Sequence, residues 1–259
     1  MRRGAVLVAA TAVLVVTPAI ASVREVQIGR SVEGRPLRAV ELGDRHGRRK
    51  VLVVGCVHGD ECAGVAIVDA LERLQPPAGV DLWLVADLNP DGARADTRQN
   101  AHGVDLNRNF PWDWRHLDGA YDSGPRPLSE PESRAASRLI LRVRPQISIW
   151  FHQHEGVVDT SGGDVAVERR FSRLVGLPLR RLSREPGSAV GWENHHLHGG
   201  TAFVVELRAG VLPTASAFQF ARAVLAVANG VARPEVSRRP RIRPPSAMSE
   251  RPATPGRSR

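Results

Sequence analysis

Apolar and polar residues alternate from Val23 to Leu42 on either side of Val32-Glu33-Gly34-Arg35, which predicts an antiparallel hairpin at a sheet edge. From Lys50 to Val57 the alternation gives way to a nearly continuous β-branched run, the pattern of a strand buried on both faces. The period changes again at Asp60: Val65, Ile67, Val68, Leu71 and Leu74 fall at helical spacing until Gln75-Pro76-Pro77 stops them. Val80 to Leu88 reads as a second buried strand, closed by the turn sequence Asn89-Pro90-Asp91-Gly92. A long polar, Gly-rich stretch to Pro127 follows. Ser129 and Glu132 then have the spacing of a capping box for a helix running to about Val143. Gln146 to His152 predicts a third strand, Val165 to Val175 a helix, Thr201 to Leu207 a strand, and Pro213 to about Val231 a closing helix with proline in its first turn. Strands alternating with helices predict one α/β domain with a mainly parallel sheet and helices on both faces.

The first 21 residues change that picture. Met1-Arg2-Arg3, the apolar run Ala5 to Val16 and Ala19-Ile20-Ala21 have the three parts of a cleaved signal peptide, and the run is shorter than the roughly 20 residues that span a bilayer. The expectation is export, with a folded domain over residues 22–231 and a tail over 232–259. The formal charge of +9 is concentrated outside the domain: Ala232 to Arg259 carries eight arginines against two glutamates, and Arg2 and Arg3 add two more cations. The domain is left near neutral, which argues against a nucleic-acid face. The Pro- and Arg-rich tail has too few large apolar residues to fold alone, and its charge suits weak contact with an anionic wall or membrane surface.

Candidate chemistry sits at the predicted strand ends. His58-Gly59-Asp60-Glu61 places an imidazole and a carboxylate three residues apart on a strand-to-helix loop, where open α/β sheets place their sites. Such donors suit a catalytic zinc, which takes three protein ligands and keeps one open position. Nine histidines in the chain make that pair weak evidence alone. His152 and His154 share a face at the end of the third strand, and either could join it. In Gly103-Val-Asp-Leu-Asn-Arg-Asn-Phe-Pro111, Asn107 and Arg108 offer an amide beside a planar guanidinium, a pairing suited to a carboxylate. Asp105 could orient a ligating imidazole. Glu206 closes an apolar strand, where an unpaired carboxylate is costly, so it either pairs with an arginine such as Arg208 or performs chemistry. No Gly-x-Ser-x-Gly elbow supports a serine esterase.

Taken in order from Lys50 to Ala209, these motifs resemble the zinc metallocarboxypeptidase family, the fold of pancreatic carboxypeptidase A. The resemblance implies a mixed sheet and a Zn2+ ion held by His58, Glu61 and His152. It implies Glu206 as general base toward a metal-polarised water, Arg98 as oxyanion partner, and Asn107 with Arg108 on the substrate's terminal carboxylate. Asp105 would stand behind a ligand. The run Phe151 to Asp159 looks most like the murein-peptide amidases of bacteria, implying a cell-wall peptide substrate. A general carboxypeptidase is the alternative, and an inert peptide- or wall-binding module is the alternative of another class. The family's usual tyrosine ahead of the catalytic glutamate is missing: Tyr121 is the only tyrosine, and the matching loop, Gly191 to His198, must supply another donor. Glu193 or Asp164 could meet an amine on the substrate. Cys56 and Cys62 bracket the His-x-x-Glu; two buried thiols is the reading adopted, with a disulfide as the alternative.

Overall fold

Strand β1 (Ser22–Arg30) pairs antiparallel with β2 (Pro36–Gly43), forming the predicted edge hairpin. These belong to a computed structural model that describes residues 22–183 and 185–230; the expected signal peptide and basic tail lie outside the described residues. Strand β2 pairs antiparallel with β4 (Val80–Val85), which runs parallel to β3 (Arg49–Val54). On the other side of β3 lies β5 (Ile147–Asp159), which also pairs with β6 (Leu179–Arg180) and β7 (Thr201–Arg208). The result is a seven-stranded mixed sheet. Its parallel part comes from the strand–helix alternation and its antiparallel part from the edge hairpin.

Alternation along the central strands sends side chains to two separate cores. Val51, Val53, Leu82, Leu84, Ile149 and Phe203 face one side, under α1 (Val65–Glu72), α4 (Val165–Val175) and α6 (Thr214–Asn229). Leu52, Val54, Trp83, Val85, Trp150 and Val204 face the other, under α3 (Pro131–Val143) and α5 (Ala189–His196). No helix among the described residues is long and apolar enough to cross a membrane.

Strand β5 does more than the sequence pattern implies. Its register with β7 advances from Ile147 opposite Thr201 to His154 opposite Arg208, then reverses, with Val157 opposite Glu206 and Val158 opposite Val205. The chain turns at Gly156, whose φ of 66° an L side chain rarely adopts. Strand β5 therefore folds around the end of β7 and flanks Glu206 on both sides.

Four local expectations are corrected. The helix expected from Asp60 begins at Val65, after a 3-10 turn at Cys62–Gly64. Asn89-Pro-Asp-Gly opens a short helix, α2 (Pro90–Ala95), because the Asn89 side chain accepts from Gly92 N and Pro90 occupies the first turn. The Ser129/Glu132 capping box does not form: the Glu132 carboxylate instead accepts from Val32 N at 2.9 Å and Asn100 Nδ2 at 3.1 Å, fastening α3 to the hairpin and the long loop. The stretch read as the loop Gly191 to His198 is mostly α5, and Glu193 lies buried on its inner face, accepting from Trp150 Nε1 at 2.7 Å and from Ser148 Oγ.

Burial pushes the Glu193 carboxyl up to about 7. The folded chain thus holds this proton more tightly than the unfolded chain, so the group's contribution is complete below pH ~4.5 and is lost as pH rises through about 7. Urea titrations at pH 5 and pH 8 should show Glu193→Gln losing less stability over that interval than wild type, by on the order of 1–3 kcal/mol.

Candidate metal centre and active site

The parallel strands deliver their C-terminal ends to one side of the sheet, and the candidate site is built there. After β3 the chain runs through Gly55, Cys56 and Val57 to His58, which is buried against the sheet. Three residues on, Glu61 caps the 3-10 turn that leads into α1. His152 arrives from β5. His58 Nδ1 lies 3.0 Å from Glu61 Oε2, His152 Nδ1 lies 3.1 Å from the same oxygen, and the two ring nitrogens are 3.2 Å apart. Two imidazole nitrogens and a carboxylate oxygen at these spacings nearly match one face of a tetrahedron with zinc–ligand bonds of about 2.0–2.1 Å, whose edge is about 3.3 Å. The donor set therefore fits a catalytic zinc, and the three residues form a group able to hold a metal ion.

The surrounding groups set tautomer and charge. His58 Nε2 donates to Asp105 Oδ1 at 2.9 Å, which leaves Nδ1 free to face the metal position. Arg98 bridges the two carboxylates, from Nη1 to Glu61 at 2.8 Å and from Nε to Asp105 at 2.9 Å. Burial works against ionisation of Asp105, yet His58 and Arg98 hold it well below the usual carboxylate range. Burial likewise opposes charge on Glu61, and the adjoining His152 and His58 rings overcome it. At His152 burial dominates and lowers the pKa, favouring the neutral ring that ligation needs.

Cys56 and Cys62 are joined by a disulfide with a Cα separation of 4.6 Å, which replaces the reading of two free thiols. The sequence does not reveal the strand-to-turn reversal that brings these Cα atoms together. On the far side of the same loop, Gly59 lies so close to α2 that a Cβ would meet the Gly92 backbone at 2.0 Å.

A cavity of about 380 Å3 opens over the metal group. Glu206 faces into it, and its Oε2 is buried with no hydrogen-bond partner among the described residues. Burial, reinforced by the negative charges of Glu61 and Glu155, raises its carboxyl to about 7. Arg108 is buried beside the cavity, with Nη1 donating to Asn107 O at 3.0 Å, Nη2 3.7 Å from Glu185, and Nε unpaired. The Asn107 amide is partly committed: Oδ1 accepts from Ala189 N at 2.9 Å, and Nδ2 lies 3.5 Å from His152 Nε2. The eight residues to which the family resemblance assigns roles, His58, Glu61, Arg98, Asp105, Asn107, Arg108, His152 and Glu206, thus converge on this end of the sheet.

The profile of the zinc carboxypeptidase family matches residues 17–74 and 77–169, more than half of the chain. The chain belongs to that family. Among its relatives are murein peptide amidase A of Escherichia coli strain K12, 34% identical over 138 residues that cover 48% of this chain and 57% of that protein, and murein peptide amidase A of Vibrio campbellii, 31% identical over 145 residues covering 51% and 58%. The chain spans a little over half the length of these curated relatives. The crystal structure of murein-tripeptide amidase from Escherichia coli O157 superposes with a TM-score of 0.63 at 26% identity, covering 79% of this chain and 91% of that one. Carboxypeptidase A from Helicoverpa armigera shares the fold, with a TM-score of 0.66 at 17% identity over 80% and 68% of the two chains.

Within this zinc carboxypeptidase, several wall residues differ from those expected. Glu193 is sequestered under α5, and Asp164 caps α4 by accepting from Ala166 N, so neither lines the cavity. Glu155, Asp159 and Glu185 line it instead. Of the Gly191–His198 segment only Gly191 reaches the cavity, because Trp192 is packed into the core beside Phe110. Tyr121 comes in from another loop, its ring 5.2 Å from the Arg98 guanidinium and 5.3 Å from that of Arg108. Its only sequence signal was being the sole tyrosine. His154 is exposed, since the β5 register breaks directly after it.

Metal analysis of purified variants should find about one zinc per chain in wild type and His154→Ala, and little in His58→Ala or His152→Ala. Asp105→Asn should keep the fold and bind zinc roughly 10- to 100-fold more weakly in a chelator competition.

Proposed function

We propose that the chain is an exported, zinc-dependent peptidase that releases a C-terminal residue from cell-wall peptides. The observation that carries this reading is the meeting, in one cavity, of three convergent metal donors, the unpartnered Oε2 of Glu206 and the incompletely paired guanidinium of Arg108. When bound, zinc supplies a Lewis acid that lowers the pKa of a water and polarises the scissile carbonyl. Arg108 receives the substrate's terminal carboxylate, aided by the remaining N–H of Asn107, and this fixes how far the scissile bond lies from the chain end. Glu206 takes a proton from the attacking water and returns it to the leaving nitrogen as the C–N bond breaks. Arg98, already tied to Glu61 and Asp105, presents its remaining N–H groups to the oxygen on which negative charge develops. Tyr121 stacks over both arginines and narrows their motion.

The substrate class draws support from the murein-amidase relatives and from the acids on the cavity wall. Glu155, Asp159 and Glu185 give that wall a negative bias suited to an amine-bearing side chain such as that of diaminopimelate. Asp159 is fixed for such a role, accepting from Leu182 N at 2.8 Å and Ser161 Oγ at 2.7 Å. A general carboxypeptidase is the second reading, favoured by Val190 and Val204, which offer the cavity an apolar surface. Export is supported by the Cys56–Cys62 bridge, because disulfides persist in oxidising compartments.

Glu206→Gln should retain zinc and lose about 10^2- to 10^4-fold in kcat. The base must be ionised to act, so kcat/KM should fall as pH drops, with a midpoint at or below the value near 7 that burial gives Glu206, since a nearby cation favours the carboxylate. The deciding assay offers a murein tripeptide ending in diaminopimelate and a blocked dipeptide ending in phenylalanine. Zinc-dependent cleavage of the tripeptide alone is expected; cleavage of the dipeptide alone would replace the wall-peptide reading with the general one. Export predicts that the protein recovered outside the cytoplasm begins at Ser22 by mass spectrometry.

A further inference from the structure

We propose that the Cys56–Cys62 disulfide is a redox latch that governs how long the enzyme keeps its zinc. The inference rests on the assignment of His58, Glu61 and His152 as the metal group. Two of those three residues lie inside the loop that the disulfide closes, while the third stands on a separate strand. The loop is anchored unevenly. At one end Cys56 is fully buried at the strand terminus, and its carbonyl accepts from Leu88 N at 2.8 Å. At the other end Cys62 opens a 3-10 turn whose N-cap, Glu61, makes no side-chain capping bond, and besides the bridge the turn is held by single hydrogen bonds, Glu61 N to His58 O at 3.0 Å and Ala63 N to Gln153 Oε1 at 3.1 Å.

The two ligands inside the loop therefore depend on the bridge to different degrees. His58 has an independent hold through Asp105. Glu61 is held from outside the metal group by Arg98, by the Gln153 backbone N–H at 3.3 Å, and by its covalently pinned neighbour Cys62. The sulfurs also fill the space beneath the loop, with Cys56 Sγ 3.2 Å from His58 O and Cys62 Sγ 3.4 Å from Gly59 O. Opening the bridge leaves the turn at Glu61 on those hydrogen bonds alone while the strand end stays fixed. A chelating set is retained by rapid return of any ligand that lets go, and that return slows when the ligand's backbone gains freedom. Glu61 is the ligand expected to loosen.

Reduction adds two electrons and two protons, breaks the S–S bond and leaves two thiols; a trialkylphosphine used as reductant takes up the oxygen of one water and becomes the phosphine oxide. In a reducing compartment the chain would then shed zinc readily, and in an oxidising one it would retain it.

The test follows transfer of zinc from the loaded protein to a chromogenic chelator, before and after reduction by a phosphine, with thiols counted by mass and folding followed by circular dichroism. The expected result is release roughly tenfold faster after reduction, comparable to the loss of a residue that orients a ligand, with the spectrum unchanged and the slow rate restored by reoxidation. The Cys56→Ser/Cys62→Ser double variant should release zinc at the fast rate whether or not phosphine is present. Equal rates in the two redox states would overturn the proposal. So would slower release, which would mean the freed thiolates had joined the ligand set, or fast release accompanied by loss of the folded spectrum. Oxidised protein that binds no zinc at all would instead refute the metal assignment beneath it.

Discussion

A fully buried, charged carboxylate at Asp105 organises the functional end of this molecule. A lone ion in that position would be prohibitively costly, so its surroundings must supply compensating charge and donors. They do: the His58 ring, the Arg98 guanidinium and the Asn107 backbone N–H all point at it. Each of those partners is thereby fixed for a second purpose. His58 is turned so that Nδ1 faces the metal position, Arg98 extends to Glu61, and the turn at Asn107 brings Arg108 to the cavity wall. One desolvated charge thus ties the metal donors and the turn that carries Arg108 into a single network, in which loss of one member leaves others unpaired.

The same logic orders the polar part of the long loop, whose Leu106 and Phe110 join the core under α3 and α5. Asn109 donates from Nδ2 to Ser123 O and Ser129 Oγ and accepts from Glu130 N at Oδ1. Asn100 donates to both Glu130 and Glu132 while accepting from the backbone of His102 and Val104. Two amides therefore act as the nuclei of a polar interior beside those apolar anchors. Tyr121 and Arg98, which meet in the cavity, are placed by the same stretch, Tyr121 at the end of a 3-10 turn and Arg98 through its bonds to Glu61 and Asp105.

How much of this was legible in the sequence depended on which force set each position. Hydrophobic periodicity revealed the central strands and the helices with an apolar stripe, because burial against a sheet dictates residue type at fixed intervals. Helix α5 was missed since it carries Trp192 and Glu193 inward together beside a run of histidines, with no stripe to read. Glu132 had capping-box spacing but found better donors 32 and 100 residues away, partners that local spacing cannot reveal. The metal donors stood out through their place at strand ends and the family resemblance. The acids of the cavity wall did not, because Glu155 and Glu185 owe their position to a register reversal and an irregular loop. The pairing of Cys56 with Cys62 required a Cα distance that only the folded chain defines.

The return of β5 around the end of β7 has a consequence for how the site comes into being. Glu206 is carried by a strand that enters the sheet late in the sequence, and both of its flanks are supplied by one earlier strand that must already be bent to receive it. No shorter product of the chain, ending ahead of Thr201, can bring Glu206 to the metal group, and β5 alone would expose the edge that β7 covers. The last long-range strand pairing therefore completes the sheet and, on the mechanism proposed above, also delivers the base, so an unfinished chain would have no means of cutting its neighbours.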